Sequence, residues 1–331
     1  MKVLILPLFA LTSILSCKSQ KPFGSEHLKL EKVIEMPGVN GRIDHMAINL
    51  ATNTVYVAAL GNNSVEVVDL NKGSVVNSIK GLDEPQGVAY IPEANELVIA
   101  NGGTGNCDFY NASTYQKLAT IKLGSDADNV RYDAISKMIY VGYGSGSMAL
   151  INLAEHKKIN DIKLPAHPES FQIDQKNNHL VVNLPDDNSI AIIDLKSLRV
   201  ISTWIINNVR SNFPMTLDTS GNSIFIGFRH PAKLVCYDAL TGHEKSSSDL
   251  VGDVDDVFFY QPKQEIFASG GDGSINIFKK ENDRTYKKIA DITTRAGART
   301  SLLVPSLQTL ILAERATGQK SAALAVYKIN D

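Results

Sequence analysis

One short apolar phrase returns seven times along this 331-residue chain. The copies are Val55-Tyr56-Val57, Leu97-Val98-Ile99, Ile139-Tyr140-Val141, Leu180-Val181-Val182, Ile224-Phe225-Ile226, Ile266-Phe267-Ala268 and Leu310-Ile311-Leu312. Their central residues stand 42, 42, 41, 44, 42 and 44 positions apart. Short runs of β-branched and aromatic residues favour strands, and turn residues such as Thr52-Asn53 and Lys176-Asn177-Asn178 stand before them. A loop rich in Gly and Asn and then a second β run follow, as in Val65-Glu66-Val67-Val68 and Ile190-Ala191-Ile192-Ile193. A β-rich unit of this period is the mark of a four-stranded propeller blade. Solenoids of paired helices share the period but need an amphipathic 3.6-residue pattern, which is absent here. The spacing predicts an all-β chain folded as a seven-bladed β-propeller.

The last copy ends on a third strand, Leu324-Ala325-Val326-Tyr327, and so lacks an outer one. Ahead of the first copy, the segment from Leu28 to Met36 has no blade of its own and matches outer strands such as Ser74-Val75-Val76-Asn77-Ser78-Ile79. Lending this N-terminal strand to the last blade closes the ring and removes open sheet edges that would otherwise template aggregation. A single propeller is expected over residues 28–331.

The Tyr-Val phrase after an Asn-containing turn, with blade ends such as Val67-Val68-Asp69-Leu70 and Ile192-Ile193-Asp194-Leu195, resembles the YVTN-repeat, YncE-like propellers of bacteria. The resemblance runs from about Leu28 to Ile329 and implies the fold. It implies no single activity, because that family has mixed roles and a fold does not fix chemistry. The sixth copy, with Ser269-Gly270-Gly271-Asp272-Gly273-Ser274-Ile275, also resembles a WD40 blade, but the Gly-His and Trp-Asp marks are missing.

Residues 1–16 read as a secretory signal peptide: Lys2, an apolar run from Val3 to Leu15, and a small residue at Ser16. The run is too short to span a bilayer as a helix. Ile14-Leu15-Ser16-Cys17 resembles a bacterial lipobox, which implies lipidation at Cys17 and a flexible tether over residues 17–27. The chain is then expected in the cell envelope, at the outer membrane of a Gram-negative bacterium and on either side of it, with membrane contact through the lipid anchor only. Two further cysteines, Cys107 and Cys236, lie three copies apart and are expected to be buried and unbridged.

In a propeller, the loops leading into the innermost strands and those joining second to third strands open on one face. Aligned on the repeated phrase, Asp44, Gln86, Asp128, Glu169, Asp255 and Arg299 hold one equivalent position there, and Phe213 breaks the pattern in the fifth copy. His45, Asn129 and Asp256 stand one step further along, and His167 two steps before Glu169. Carboxylates from four blades are therefore expected to ring the mouth of the central channel. Such oxygens suit Ca²⁺ or Mg²⁺, so Asp44, Asp128, Glu169, Asp255 and Asp256 are candidate ligands of a divalent cation, with Zn²⁺ the less favoured ion. Arg42, Gln86, Asn129, Asn212, Arg229 and Arg299 are candidate ligand-binding residues, and the arginines point to an anion. His45 and His167 are candidate general bases. The opposite face carries only residues that tight turns need for backbone reasons.

Two functions fit this face. The first is an envelope-anchored binding module for a small ligand or an envelope protein; the alternative is a metal-assisted lactonase or lyase. A formal net charge of −2, acids at the mouth and the lack of an aromatic stacking series argue against nucleic acid. A monomer is expected.

Overall fold

In a computed structural model, residues 26–330 are described, apart from 219, 221 and 283. They form seven antiparallel four-stranded sheets arranged as the blades of a β-propeller. Blades one to six span 46–80, 85–122, 127–163, 171–205, 210–249 and 254–293. Blade seven takes three strands from 301–329 and its fourth from Leu28–Met36.

The repeated phrase is the second strand of every blade, and its unbroken apolar character has a simple cause. Alternate side chains of a strand point to opposite faces, and here both faces are covered by neighbouring blades. Val55 and Val57 pack toward blade seven, while Tyr56 and Ala58 pack toward blade two. Seven hydrophobic clusters result among the described residues, one at each interface between adjacent blades.

The turn before the phrase is equally regular. Three residues ahead of each central position the backbone is left-handed, at Asn53, Asn95, Lys137, Asn178, Asn222, Gln264 and Gln308, with φ between 49° and 60°. Asn tolerates that region better than most side chains, which accounts for its recurrence in the motif.

Closure follows the expected route. Leu28–Met36 runs antiparallel to Ala322–Ile329, from Leu28 opposite Ile329 to Met36 opposite Ala322. The third and outer strands of every blade pair through a bulge, and the borrowed strand reproduces it between Leu30 and Lys32. Its Ile34 and Met36 are buried at the interface between blades seven and one.

Candidate functional site

A residue-by-residue register repeats where each blade leads into its innermost strand. At Glu84, Asp126, Ser211, Asp253 and Gly297 the chain turns through the left-handed region, with φ from 43° to 82°. One residue later, Ile43, Pro85, Ala127, Pro168, Asn212, Val254 and Ala298 are all buried. The next residue, Asp44, Gln86, Asp128, Glu169, Phe213, Asp255 or Arg299, lines a cavity of about 310 Å³ at the channel mouth. Every blade contributes one. Three positions further, Ala47, Ala89, Arg131, Gln172, Thr216, Phe258 and Leu302 line a deeper chamber of about 470 Å³, and His45 and Asp256 border both spaces. Gly87 makes the blade two to blade three contact possible, since a Cβ there would overlap the carbonyl oxygen of Asp128.

The arginines of the mouth are neutralised within its wall. Arg42 Nη2 stands 2.6 Å from Asp44 Oδ2. Arg229 stacks with its guanidinium 4.0 Å from the centre of the Phe213 ring and places Nη2 2.5 Å from Asp255 Oδ1. Arg299 reaches the same carboxylate, with Nε 3.2 Å from Oδ2, and Asp253 Oδ1 at 2.7 Å. Asp256 accepts a hydrogen bond from the Ser301 N–H at 2.7 Å.

The acids on blades three and four are placed differently. Asp128 has His45 Nε2 at 4.0 Å and His167 Nε2 at 3.9 Å, both beyond hydrogen-bonding range. Glu169 makes no side-chain hydrogen bond or ion pair with the described residues. Asn129 is 2% exposed, lines the same cavity, and leaves its Oδ1 without a partner.

Burial and mutual repulsion make this a site that holds protons. Burial, with Asp128 next, pushes the Glu169 carboxyl up to about 8. Burial, with Asp255 adding to it against the pull of His45, pushes Asp256 up to about 7. Asp44 is raised too, burial outweighing the nearby His45 and Arg42. Burial works against the His45 cation, but Asp44, Asp256 and Asp128 outweigh it and raise its pKa. His167 is raised likewise: burial opposes the charge, and Asp128 together with the Gly144 carbonyl prevails.

Of the expected site residues, Arg42, Asp44, His45, Gln86, Asp128, Asn129, His167, Glu169, Arg229, Asp255, Asp256 and Arg299 all line this cavity. Asn212 does not. It falls one position early, on the buried side of the strand, and donates Nδ2 to Asn183 Oδ1 at 3.2 Å and to the Ser189 carbonyl at 3.0 Å. The other six blades hold Ile, Pro, Ala, Pro, Val and Ala at that position, a signal readable in the sequence. Cys17 lies outside the described residues. Cys107 and Cys236 are buried and unbridged. The cavity also takes in Asp126, Ser170 and Asp186, and Arg131 lies in the chamber beneath. The three-residue offset from Asp128 would have found Arg131.

No protein-family model matches the chain, and no curated protein matches its sequence. Solved structures do match. One is a chain of the crystal structure of the mitotic checkpoint complex, similar over 100% of this chain and 99% of that one, with a TM-score of 0.79 and 18% identity. The fold is a seven-bladed β-propeller. Hydrazine synthase of Kuenenia stuttgartiensis is similar over 84% of this chain and 96% of its own, with a TM-score of 0.73 and 16% identity. At such identities the likeness is one of fold alone.

Proposed function

We propose that the chain is a binding module of the YncE-like kind, held at the cell envelope through a lipid on Cys17. Its ligand is small and polar, carries positive charge or is bridged by a bound cation, and occupies the channel mouth. The observation that supports this reading is the convergence of one repeat position from all seven blades on a single cavity. Loops and strand ends fixed by a rigid scaffold are where binding sites concentrate. Arg42, Arg229 and Arg299 are paired with acids of the wall, while Asp126, Asp128, Glu169 and Asp186 line the cavity without an arginine partner among the described residues, which favours a cationic group over the expected anion. A partner protein presenting a basic side chain would satisfy the same acids.

The alternative, a metal-assisted lactonase or lyase, draws on His45, which borders the cavity 4.0 Å from Asp128 and is placed to act as a base.

A thermal-shift screen of the full chain, purified in detergent, against small ammonium compounds, amino acids and carboxylates tests the binding reading. An ammonium compound should stabilise the native protein and lose that effect in Glu169→Gln and Asp186→Asn. Stabilisation by carboxylates alone, or hits that persist in both variants, would place the ligand elsewhere.

A further inference from the structure

We propose that Asp128, His167 and Glu169 bind a divalent cation of the transition type, Zn²⁺ or Mn²⁺ in class, in place of the Ca²⁺ or Mg²⁺ that a ring of carboxylates alone would favour. The inference rests on the channel mouth being the functional site. One ligand atom from each of the three side chains lies within 4.8 Å of the other two. Ligands about 2.0–2.2 Å from one ion stand roughly 3.4 Å apart at the tetrahedral angle, so side-chain adjustments of about 1 Å close the set.

The imidazole is already prepared for such a role. His167 Nδ1 lies 2.5 Å from the Gly144 carbonyl oxygen, which can only accept, so Nδ1 carries the proton. Nε2 is thereby the nitrogen left to face Asp128, at 3.9 Å. A ring nitrogen held by a backbone carbonyl on its far side is the usual outer support of a metal-bound histidine. A metal ion bound between Nε2 and the Asp128 carboxylate would take the place of a proton on that nitrogen.

Two further observations point the same way. Glu169 has no other partner among the described residues, and the buried Asn129 Oδ1 has none either. Other acids of the mouth have partners of their own: Asp44 has Arg42, Asp255 has Arg229 and Arg299, Asp256 has the Ser301 N–H, and Asp126 accepts from Gln86 Nε2. The cluster itself offers two carboxylates and one imidazole, fewer oxygens than Ca²⁺ takes, about six to eight. One nitrogen with two carboxylates suits the ions that accept imidazole. Three protein ligands leave a position open, through which an oxygen of the ligand would be held.

Calorimetric titration of EDTA-stripped full chain in detergent with the chlorides of Zn²⁺, Mn²⁺, Ca²⁺ and Mg²⁺ tests this. Zn²⁺ or Mn²⁺ should bind one per chain and raise the melting temperature, while Ca²⁺ and Mg²⁺ at the same concentration should not. His167→Ala and Glu169→Gln should each weaken binding by about 100-fold or more, above the range for loss of an outer-shell partner. Asp194→Asn, in a turn on the opposite face, should leave it unchanged. Melts without metal establish that each variant folds, and the visible spectrum of the Co²⁺ form should change in His167→Ala. The proposal is overturned if none of the four ions binds, if His167→Ala binds as well as the native chain, or if Ca²⁺ is preferred and lost in Asp44→Asn. If no metal binds while ammonium compounds still stabilise the protein, the metal site falls and the channel-mouth reading stands. If Zn²⁺ binds and ammonium compounds do nothing, the metal site stands and the ammonium ligand falls.

Discussion

Asp256 sits in the channel wall with His45, Asp44 and Asp255 around it, Arg131 on the side of the deeper chamber, and the Ser301 N–H on one oxygen. Its pKa of about 7 in the fold contrasts with about 3.9 for an unfolded aspartate. Between those two values the unfolded chain has released a proton that the folded chain keeps, so stability falls as pH rises through this window. Asp44 and Glu169 act in the same direction from the acid side. His45 and His167 add stability that is present at low pH and lost as pH rises through their raised values. The melting temperature in chelator should therefore decline from about pH 5 to 8.5, and Asp256→Asn should flatten part of that decline while still accepting from Ser301. A slope identical to the native one would assign the proton to other groups. The sequence showed these acids gathered at the mouth, but it could not show which were spoken for. Arg229 belongs to blade five and its acids to blade six, and only the geometry between blades pairs them.

Among the strands, Leu28–Met36 is held by long-range pairing alone. Leu28, Ile34 and Met36 are buried, at about 1.5–3 kcal/mol each, and the strand pairs along its length with Ala322–Ile329. Deleting residues 18–36 should lower the melting temperature by about ten degrees or more relative to deleting 18–25, since each kcal/mol moves a chain of this size by roughly 2–4 degrees. The shorter deletion stops before Glu26, whose carbonyl accepts from Asn330 Nδ2. Equal melting temperatures would mean that the ring holds without its borrowed strand. This element was legible because it was left over: a strand pattern without a blade, at the other end from a blade without a strand. The bulge it shares with six other outer strands was not legible, because a bulge is fixed by the partner's register.

At the scale of the whole molecule, the period carried almost everything. Copies about 42 residues apart fix how many blades there are, and both-sided burial makes each second strand apolar enough to be seen. The gathering of the candidate residues around one cavity was legible for the same reason, since one repeat position means one ring of side chains. Its ligand was not, because a cavity's preference depends on which charges remain after the wall has paired its own. Cys17→Ala should move the protein from the membrane pellet to the soluble exported fraction, and pelleting that survives a carbonate wash would rule out the lipid anchor.

The borrowed strand has one more consequence. The Asn330 N–H donates to the His27 carbonyl at 3.1 Å, so the two ends of the propeller are neighbours. A peptide link between them would turn the chain into a circle without displacing a strand. That circle could then be opened at a turn of the opposite face, such as Asn71-Lys72-Gly73, and a different blade would be the one assembled from both ends. The seam of this propeller belongs to the order of its chain; its geometry would accept the seam at any blade.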